Sequence, residues 1–276
     1  MPAIPKRVLP RGDVAALEAI PAIIHQTFET AEVPQGMYDA AMGWVDQNPG
    51  FEYRFADSDD RRALIAERFP ADALAAYDTL ENGAFKADFW RLCVLIAEGG
   101  VYADLDTVCL VPLAGVLPPE ARFVASAAGL SHAVSNMFLA AAPNHPFLKA
   151  ALAYAVACLR DPDPEFDGFH VTGPGALGVA INGVLGRDAR AAHPSGRRGE
   201  GALAFEIWPK FQATNEMPRH VAADGTPVFL TDYPGYKTDL AAAGQQHWTE
   251  TKPSRAPLAR LRRAARRVGA RLSNRN

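Results

Sequence analysis

Two aspartates one residue apart follow a short apolar run, and their spacing suits the binding of a metal ion. Asp104 and Asp106 stand on either side of Leu105, after the run Val101-Tyr102-Ala103. In an extended segment residues i and i+2 point to the same side, so both carboxylates can reach one divalent cation. Oxygen ligands favour Mg²⁺ or Mn²⁺, which is usually shared with a diphosphate that the substrate supplies. The same pair is also compatible with a simple turn after a strand.

A helix directly before this segment carries a second pair of charged side chains. Apolar residues recur at helical spacing over residues 82–98, and Gly99-Gly100 is a helix C-terminal signal. Asp88 and Arg91 are three residues apart and therefore lie together on the flank of this helix. They form either an ordinary surface ion pair or a carboxylate and a guanidinium held beside the two aspartates.

The first half of the chain has the pattern of an α/β protein. Residues 21–27 and 51–56 read as strands that end in polar residues, and residues 39–47 and 60–69 have helical patterns. This order predicts a mostly parallel, Rossmann-like sheet with flanking helices. In such sheets, ligands bind beyond the carboxyl ends of the strands.

The second half of the chain is less regular. Strands are predicted at residues 123–126 and 135–139, followed by a helix at 146–159. Thr172 is the expected N-cap of another helix, and residues 186–201 read as a mobile surface loop. We find no internal repeat and no long linker, so residues 1–250 are predicted to form a single domain.

The last 26 residues differ in charge from the rest of the chain. The formal net charge is −3, but residues 251–276 contain nine basic and no acidic residues. Leucine, alanine and valine recur there at helical spacing, which predicts a basic amphipathic helix. The helix would bind an anionic membrane surface or dock on its own acidic domain. A nucleic-acid partner is not expected, because the acidic body would repel a phosphate backbone.

The composition also bears on the compartment. There is no run of 18 apolar residues and no evident secretion signal, so neither a membrane span nor export is expected. Three cysteines without a Cys-x-x-Cys pair argue against a disulfide framework and a structural zinc site. We therefore expect a cytoplasmic protein, held peripherally on the inner membrane face if the tail binds lipid.

Several segments together resemble a known family. Lys86-Ala87-Asp88-Phe89-Trp90-Arg91, followed by Gly99-Gly100-Val101-Tyr102-Ala103-Asp104-Leu105-Asp106, is similar to the signature of the DXD-containing sugar transferases of glycosyltransferase family 32. That family includes fungal initiating α-1,6-mannosyltransferases and bacterial capsular enzymes, and the clostridial glucosylating toxins share a similar arrangement. The opening segment 20–27 resembles the family's first strand. The resemblance is strongest over residues 20–115.

The resemblance implies a GT-A-type nucleotide-sugar-binding fold and a set of donor-binding residues. Asp104 and Asp106 would bind the metal, Mn²⁺ or Mg²⁺, and Asp88 and Arg91 would hold the donor sugar and the phosphate region. The two metal-binding aspartates and Arg91 would be the catalytic residues, because the cation and the guanidinium would stabilise the leaving diphosphate. The residues His25, Gln26 and Thr27 would lie by the base and ribose.

Three further positions match the family less closely. Asn136 resembles an asparagine that lines the donor sugar or the acceptor. His247 would complete the metal site or contact the leaving phosphate, and Trp248 would close over the nucleotide. Phe28 departs from the family, where tryptophan is common, and this puts base stacking in question.

The implied reaction is transfer of a hexose, with retention of configuration. The donor would be a UDP- or GDP-linked sugar, and the acceptor a hydroxyl of a glycan or lipid-linked glycan, as in capsular or surface polysaccharide biosynthesis. Two alternatives remain open from the sequence. The run Asp104-Leu105-Asp106-Thr107-Val108 also fits the opening motif of haloacid-dehalogenase-like phosphatases, with Asp104 as nucleophile. The chain could also be a non-catalytic protein that only binds a sugar nucleotide.

Overall fold

The computed structural model describes residues 1–13, 17–161, 167–199, 201–212, 216–245, 247 and 249. The basic segment 251–276 and Trp248 lie outside these residues, so the predictions made for them are not addressed by the fold. Among the described residues, no helix is both long and apolar enough to cross a membrane.

Strands and helices alternate through the first half of the chain, as the sequence predicts. The strands are β1 (Arg7–Val8), β2 (Ile23–Thr27), β3 (Glu52–Ala56), β4 (Gly100–Ala103), β5 (Val108–Cys109), β6 (Phe123–Ala127), β7 (Val134–Ala141), β8 (Gly196–Arg198), β9 (Phe205–Trp208), β10 (Lys210–Phe211), β11 (Arg219–Val221) and β12 (Pro227–Leu230). The helices are α1 (Gln35–Gln47), α2 (Ser58–Arg68), α3 (Ala71–Asp78), α4 (Gly83–Glu98), α5 (Pro146–Arg160), α6 (Gly168–Val171), α7 (Pro174–Val184) and α8 (Tyr236–Ala242).

An eight-stranded sheet, in the order β1-β3-β2-β4-β7-β6-β9-β8, forms the centre of the molecule. Strands β2, β3, β4, β6 and β9 all point in one direction, because β7 pairs antiparallel with both β4 and β6. Their carboxyl ends therefore meet at one edge of the sheet. The α/β class and the mostly parallel direction of the strands are as predicted.

Two hydrophobic cores cover the two faces of this sheet. Alternate residues of each strand enter opposite cores: Tyr102 packs with α4, α5 and α7, whereas Val101 and Ala103 pack with α1 and the small sheet. This alternation is the period-two pattern of a sheet that is buried on both faces.

A second, four-stranded sheet in the order β10-β11-β12-β5 stands beside the carboxyl edge. The chain passes from β4 in the large sheet to β5 in the small one, and residues 104–107 are this crossover. The two aspartates thus lie where the chain passes from the large sheet to the small one.

Helix α4 begins and ends where the sequence indicates. The Asn82 side chain accepts a hydrogen bond from the backbone N–H of Ala84, which makes Asn82 the N-cap. Gly99 and Gly100 have φ of 68° and 97°, a region that glycine adopts without strain. These two residues reverse the chain from α4 directly into β4.

Two predictions about the second half of the chain are wrong. Thr172 is not an N-cap: it follows α6, Gly173 caps α7, and the Thr172 hydroxyl instead donates to Asp88 at 3.3 Å. Residues 186–201 are not entirely loop, because β8 pairs antiparallel with β9. The sequence of β8 does not predict a strand, because it consists of glycine and arginine. An edge strand of three residues also has almost no apolar periodicity.

Candidate functional site

A cleft of about 590 Å³ opens at the carboxyl edge of the large sheet. The ends of β2, β4 and β6, the first turns of α4 and the small sheet all contribute to its walls. The sequence-predicted site residues that line it are Thr27, Asp88, Arg91, Asp104, Asp106, Asn136 and His247. The fold therefore brings together residues that are as much as 220 positions apart in the chain.

The buried guanidinium of Arg91 joins the helix to the aspartate segment. Its Nη2 donates to Oδ1 of Asp104 at 2.8 Å and lies 3.1 Å from Oδ1 of Asp88. Its Nη1 donates to the carbonyl of Asn136 at 2.5 Å, and its Nε donates to the carbonyl of Ala87. All three nitrogens are thus engaged by the protein, so Arg91 positions the two carboxylates in this structure.

Asp88 is held from three sides. Besides Arg91, the Asn136 amide donates to its Oδ1 at 2.9 Å and the Thr172 hydroxyl donates to its Oδ2. Burial raises the pKa of Asp88 to about 6, although the nearby charge of Arg91 favours the ionised form. Asp88 and Asn136 line the cleft and can offer oxygen and N–H groups to sugar hydroxyls.

The two aspartates of the crossover differ in their surroundings. Arg91 and the Tyr102 hydroxyl both donate to Oδ1 of Asp104. Burial raises the pKa of both carboxyls, and that of Asp106 is raised further by the charges of Asp104 and Asp232. The pair is therefore a site of unbalanced negative charge, which a cation would stabilise.

The backbone of the aspartate segment is fixed from β2 and β7. The Gln26 amide donates to the carbonyl of Asp104 at 3.2 Å, and the Tyr53 hydroxyl donates to Gln26. The N–H of Asp104 donates to the carbonyl of Met137 at 2.8 Å. Gln26 was predicted to contact the nucleotide; in the structure it is fully buried and supports Asp104 instead.

The structure places His25 in the core and not in the cleft. The ring is 1% exposed, its Nε2 lies 3.0 Å from the carbonyl of Gly99, and burial lowers its pKa to about 4. The prediction that His25 contacts base or ribose is therefore wrong. Thr27, at the end of the same strand, does reach the cleft, where its hydroxyl donates to the carbonyl of Ala56.

His247 lines the cleft without joining the aspartates. Its ring lies 6.3 Å from that of Tyr236, and its Nδ1 lies 2.6 Å from the Thr249 hydroxyl. Among the described residues, no three or more His, Cys, Asp or Glu side chains are grouped as a metal site. The metal role of His247 thus stays a prediction without geometric support.

Several cleft residues were missed by the sequence analysis. Arg61 of α2 is 1% exposed, and its Nη2 donates to Oε1 of Glu29 at 2.6 Å. On the opposite wall, His220 is fully buried and neither ring nitrogen has a hydrogen-bond partner within the described part of the chain. Lys210 is its cross-strand neighbour. No local pattern marks these residues, because each comes from an element that meets the cleft only in the folded chain.

The order and direction of the strands define a fold of the GT-A type, which is found in glycosyltransferases. The solved structure of the PaToxG glycosyltransferase has the same fold, with a TM-score of 0.51, 20% sequence identity, and coverage of 61% of this chain and 71% of that one.

Part of the chain also matches a family at the level of sequence. Residues 34–124, which include Asp88, Arg91, Asp104 and Asp106, match the family described as glycosyltransferase sugar-binding region containing DXD motif. The resemblance to glycosyltransferase family 32 is confirmed over this segment, and the similar proteins are glycosyltransferases.

The similar proteins include fungal mannosyltransferases. Inositol phosphoceramide mannosyltransferase 2 of Schizosaccharomyces pombe is 33% identical over 140 residues, which is 50% of this chain and 39% of that protein. The putative glycosyltransferase HOC1 of Saccharomyces cerevisiae is 34% identical over 102 residues, 36% of this chain and 26% of that protein. The chain thus spans less than two-fifths of the length of either relative.

Proposed function

We propose that this protein is a metal-dependent, retaining glycosyltransferase that moves a hexose from a nucleoside diphosphate sugar to a hydroxyl acceptor. One observation carries the proposal: the buried Arg91 links Asp88 to Asp104 at the carboxyl edge of the sheet, with Asp106 in the same cleft. If Asp88 and Arg91 formed only an ordinary surface ion pair, the Arg91 guanidinium would be exposed and would not contact Asp104. The match of this same segment to the DXD family supports the assignment.

The described residues support a division of the donor between two parts of the cleft. Asp88 and Asn136 form a polar pair in the cleft that suits the hydroxyls of a hexose. Asp104 and Asp106 line the same cleft and would contact the departing diphosphate. Arg91 holds the two parts at a fixed separation, so the sugar and the diphosphate are oriented by one rigid network.

The residues present fit a divalent cation. Among the described residues, no side chain donates a hydrogen bond to Oδ2 of Asp104 or to the Asp106 carboxylate, and burial and mutual repulsion raise the pKa of both groups. An all-oxygen set of two carboxylates suits Mn²⁺ or Mg²⁺ with the remaining positions filled by diphosphate and water. When bound there, the cation would supply charge stabilisation to the leaving diphosphate.

We propose mannose as the hexose, and a glycan or glycolipid as the acceptor. Support comes from the names of the similar proteins, which include inositol phosphoceramide mannosyltransferases and initiation-specific α-1,6-mannosyltransferases. A role in surface polysaccharide synthesis is compatible with this acceptor class. Retention is proposed from the resemblance to the family and would be checked by the anomeric configuration of the product.

The decisive test is the Asp106→Asn variant with a panel of nucleoside diphosphate sugars and Mn²⁺. We expect transfer and donor hydrolysis to fall by about 100-fold or more, because the leaving group loses its charge partner. Asp46→Asn, a change on the exposed surface of α1, serves as the matched control and should retain full activity. Undiminished turnover by Asp106→Asn would remove the proposal. A wild-type protein that binds the donor and never hydrolyses or transfers it would favour the non-catalytic alternative.

The basic segment 251–276 is proposed to hold the protein on the inner face of an anionic membrane. Nine basic residues without acidic ones would each add about 1 kcal/mol near such a surface. The test is flotation of the full chain with vesicles that contain an anionic phospholipid. Replacing Arg262, Arg263, Arg266 and Arg267 by glutamine should abolish flotation, and neutral vesicles should not bind either protein.

A further inference from the structure

The small sheet carries a partly exposed row of side chains on one of its faces. Strands β10, β11, β12 and β5 contribute one residue each, and these are paired in register: Phe211, Arg219, Leu230 and Val108. Residues that pair directly across strands point to the same side of a sheet, so the four side chains form one row, here called the outer row. Phe211 is 57% exposed, and the other three residues are half-buried.

The other face of the same strands is buried. The paired positions one residue along point to that face and are at most 5% exposed; they are His220, Phe229 and Cys109. The three apolar residues of the outer row, in contrast, belong to neither hydrophobic core of the described residues. The outer row therefore leaves apolar surface in water on three neighbouring strands, and contiguous apolar surface of this kind is typical of an interaction site.

The outer row borders the cleft. Lys210 directly precedes Phe211, Thr231 directly follows Leu230, and both Lys210 and Thr231 line the cleft. Successive residues of a strand are only about 3.3 Å apart. A surface that covers the outer row is therefore brought next to the wall of the cleft.

Positive charge accompanies the outer row. Arg219 lies within the row, where it forms an ion pair with Glu216. Lys210 and Lys237 are exposed residues that line the cleft, and neither forms an ion pair with any described residue. The row itself contains no acidic residue, although residues 1–250 have more acidic than basic residues. Apolar side chains with lysines beside them suit the interface of an anionic membrane, where the apolar groups enter the headgroup boundary and the cations contact phosphates.

The size of the row favours a membrane over a second protein. A stable protein–protein interface buries about 800 Å² on each partner, which four partly exposed side chains cannot supply by themselves. A membrane contact has no such minimum, because it adds to the affinity of any other membrane-binding segment of the same chain.

We propose that the outer row contacts the surface of an anionic phospholipid membrane and turns the cleft towards it, so that a lipid-linked acceptor can enter. The inference rests on the proposed glycolipid acceptor, and it goes further because it names the face of the fold that meets the membrane. The basic segment 251–276 supplies most of the affinity in this arrangement. The outer row fixes the orientation, because two linked contacts allow fewer orientations than one.

Labelling of two exposed positions tests the orientation. Phe211→Cys and Leu9→Cys are each labelled with a polarity-sensitive fluorophore in the full chain. Both variants also carry Cys158→Ala, since the other two cysteines are buried. Leu9 is the matched control: it is 61% exposed and follows β1, which lies six strands from β9, about 29 Å across the large sheet. On vesicles that contain an anionic phospholipid, emission from position 211 should shift to the blue, whereas emission from position 9 should not change.

Flotation with the same vesicles measures the contribution of the row to binding. Phe211→Ser should weaken vesicle binding about tenfold, because transfer of a phenylalanine side chain out of water is worth at least this factor. Leu9→Ser removes a side chain of similar exposure at the far edge of the large sheet and should bind as the wild type does.

Each other outcome would overturn the proposal. These outcomes are a fluorophore at position 211 that stays in water on floating protein, a blue shift at position 9 as well, and wild-type flotation by Phe211→Ser. A dimer in sedimentation analysis that Phe211→Ser dissociates would assign the row to a second copy. If the wild type does not bind anionic vesicles, the membrane roles of the row and of segment 251–276 both fail.

The proposed function fails on a different measurement. Wild-type protein that transfers no sugar to a soluble or lipid-linked acceptor would remove the transferase proposal. The fluorescence and flotation measurements need no turnover, so they give their answer about the outer row in either case.

Discussion

The Nη2 atom of Arg91 lies 2.8 Å from the Oδ1 atom of Asp104, and this contact connects helix α4 to the tip of strand β4. The two residues are 13 positions apart in the chain. The guanidinium also lies 4.3 Å from the ring of Tyr102, so it is held between an aromatic face and the carboxylates. The first aspartate of the pair is therefore oriented from the protein interior, and its other oxygen remains for the cleft.

Arg91→Lys should disable the site although it keeps the positive charge. A lysine has one nitrogen and cannot bond Asp88, Asp104 and the Asn136 carbonyl in the same geometry. We expect the free energy of unfolding to fall by about 3 kcal/mol, as when a buried ion pair is broken, and donor hydrolysis to fall about 100-fold. Urea unfolding and a donor hydrolysis assay measure the two effects. Arg62→Lys, which alters an exposed pair with Asp78, should leave both unchanged; equal behaviour of the two variants would contradict the network described above.

Asp106→Asn should stabilise the metal-free protein while it removes metal binding. Burial and the charge of Asp104 raise the pKa of Asp106, so its ionisation opposes folding; this penalty grows as the pH rises from the unfolded pKa to the raised one and is complete above it. At pH 7.5 with a chelator present, we expect an increase of about 2–4 °C in Tm, which corresponds to about 1 kcal/mol.

Mn²⁺ should affect the Tm of the wild type and of Asp106→Asn differently. The wild-type Tm should rise with Mn²⁺, because a ligand that binds only the folded state stabilises it, and that of Asp106→Asn should not. Thermal denaturation measures both effects. If Mn²⁺ raised the Tm of Asp106→Asn as much as that of the wild type, the cation would bind elsewhere.

His220→Phe should increase stability, and the increase should grow in acid. The buried ring stacks on Phe229 with centroids 4.5 Å apart, and a phenyl ring can keep this packing without the two nitrogens, which have no hydrogen-bond partner in the described part of the chain. Burial and the charge of Lys210 lower the pKa of His220 from 6.5 to about 3. A histidine with a lowered folded pKa contributes stability above pH 6.5 and loses it as the pH falls towards 3.

The pH window gives the size of this effect. Between pH 7.5 and pH 5 the wild type should lose about 2 kcal/mol that the phenylalanine variant keeps, because 1.5 units of pH below the unfolded pKa correspond to this energy. Urea midpoints of both proteins at the two pH values provide the measurement. A difference between the proteins that does not change with pH would show that His220 does not stay neutral in the fold.

Gly100→Ala should destabilise the protein, whereas Gly43→Ala should do the opposite. At Gly100, φ is 97° and an added Cβ would lie 2.7 Å from the backbone carbonyl of Ile23, so the turn between α4 and β4 would have to move. We expect a loss of at least about 2 kcal/mol. Gly43 lies within α1 and nothing lies within 4 Å of an added Cβ, so alanine should gain up to about 1 kcal/mol. Equilibrium urea unfolding checks both, and the same sign for the two variants would contradict this account.

The sequence alone identified helix α4, the strand after it and the aspartate pair, because these depend on local signals. An apolar helical stripe, two glycines and a short apolar strand lie within the 25 residues from Asn82 to Asp106. The order of strands and helices also predicted the edge of the sheet at which the cleft lies. The sequence alone therefore predicts that one region contains Asp88, Arg91, Asp104 and Asp106.

His25 shows where such reasoning ends. It precedes the end of β2 by two residues, about 6.6 Å of strand, and this distance places its ring against Gly99 in the core while Thr27 reaches the cleft. The sequence did not show how far the strand continues beyond the edge of its neighbours. Thr172 was likewise misread, because its hydroxyl donates to Asp88 of α4 and not to the helix that follows Thr172.

The residue composition and local spacing of this chain thus determined its fold class, its strongest helix and its acidic pair. Only the tertiary structure decided that Arg91 is held by Asp88, Asp104 and a carbonyl at once, that Arg61 donates a hydrogen bond to Glu29, and that neither ring nitrogen of His220 has a hydrogen-bond partner within the described residues. The physical reason is that helix caps, turns and apolar periodicity act over a few residues, whereas burial and ion pairing depend on which distant elements the folded sheet brings into contact.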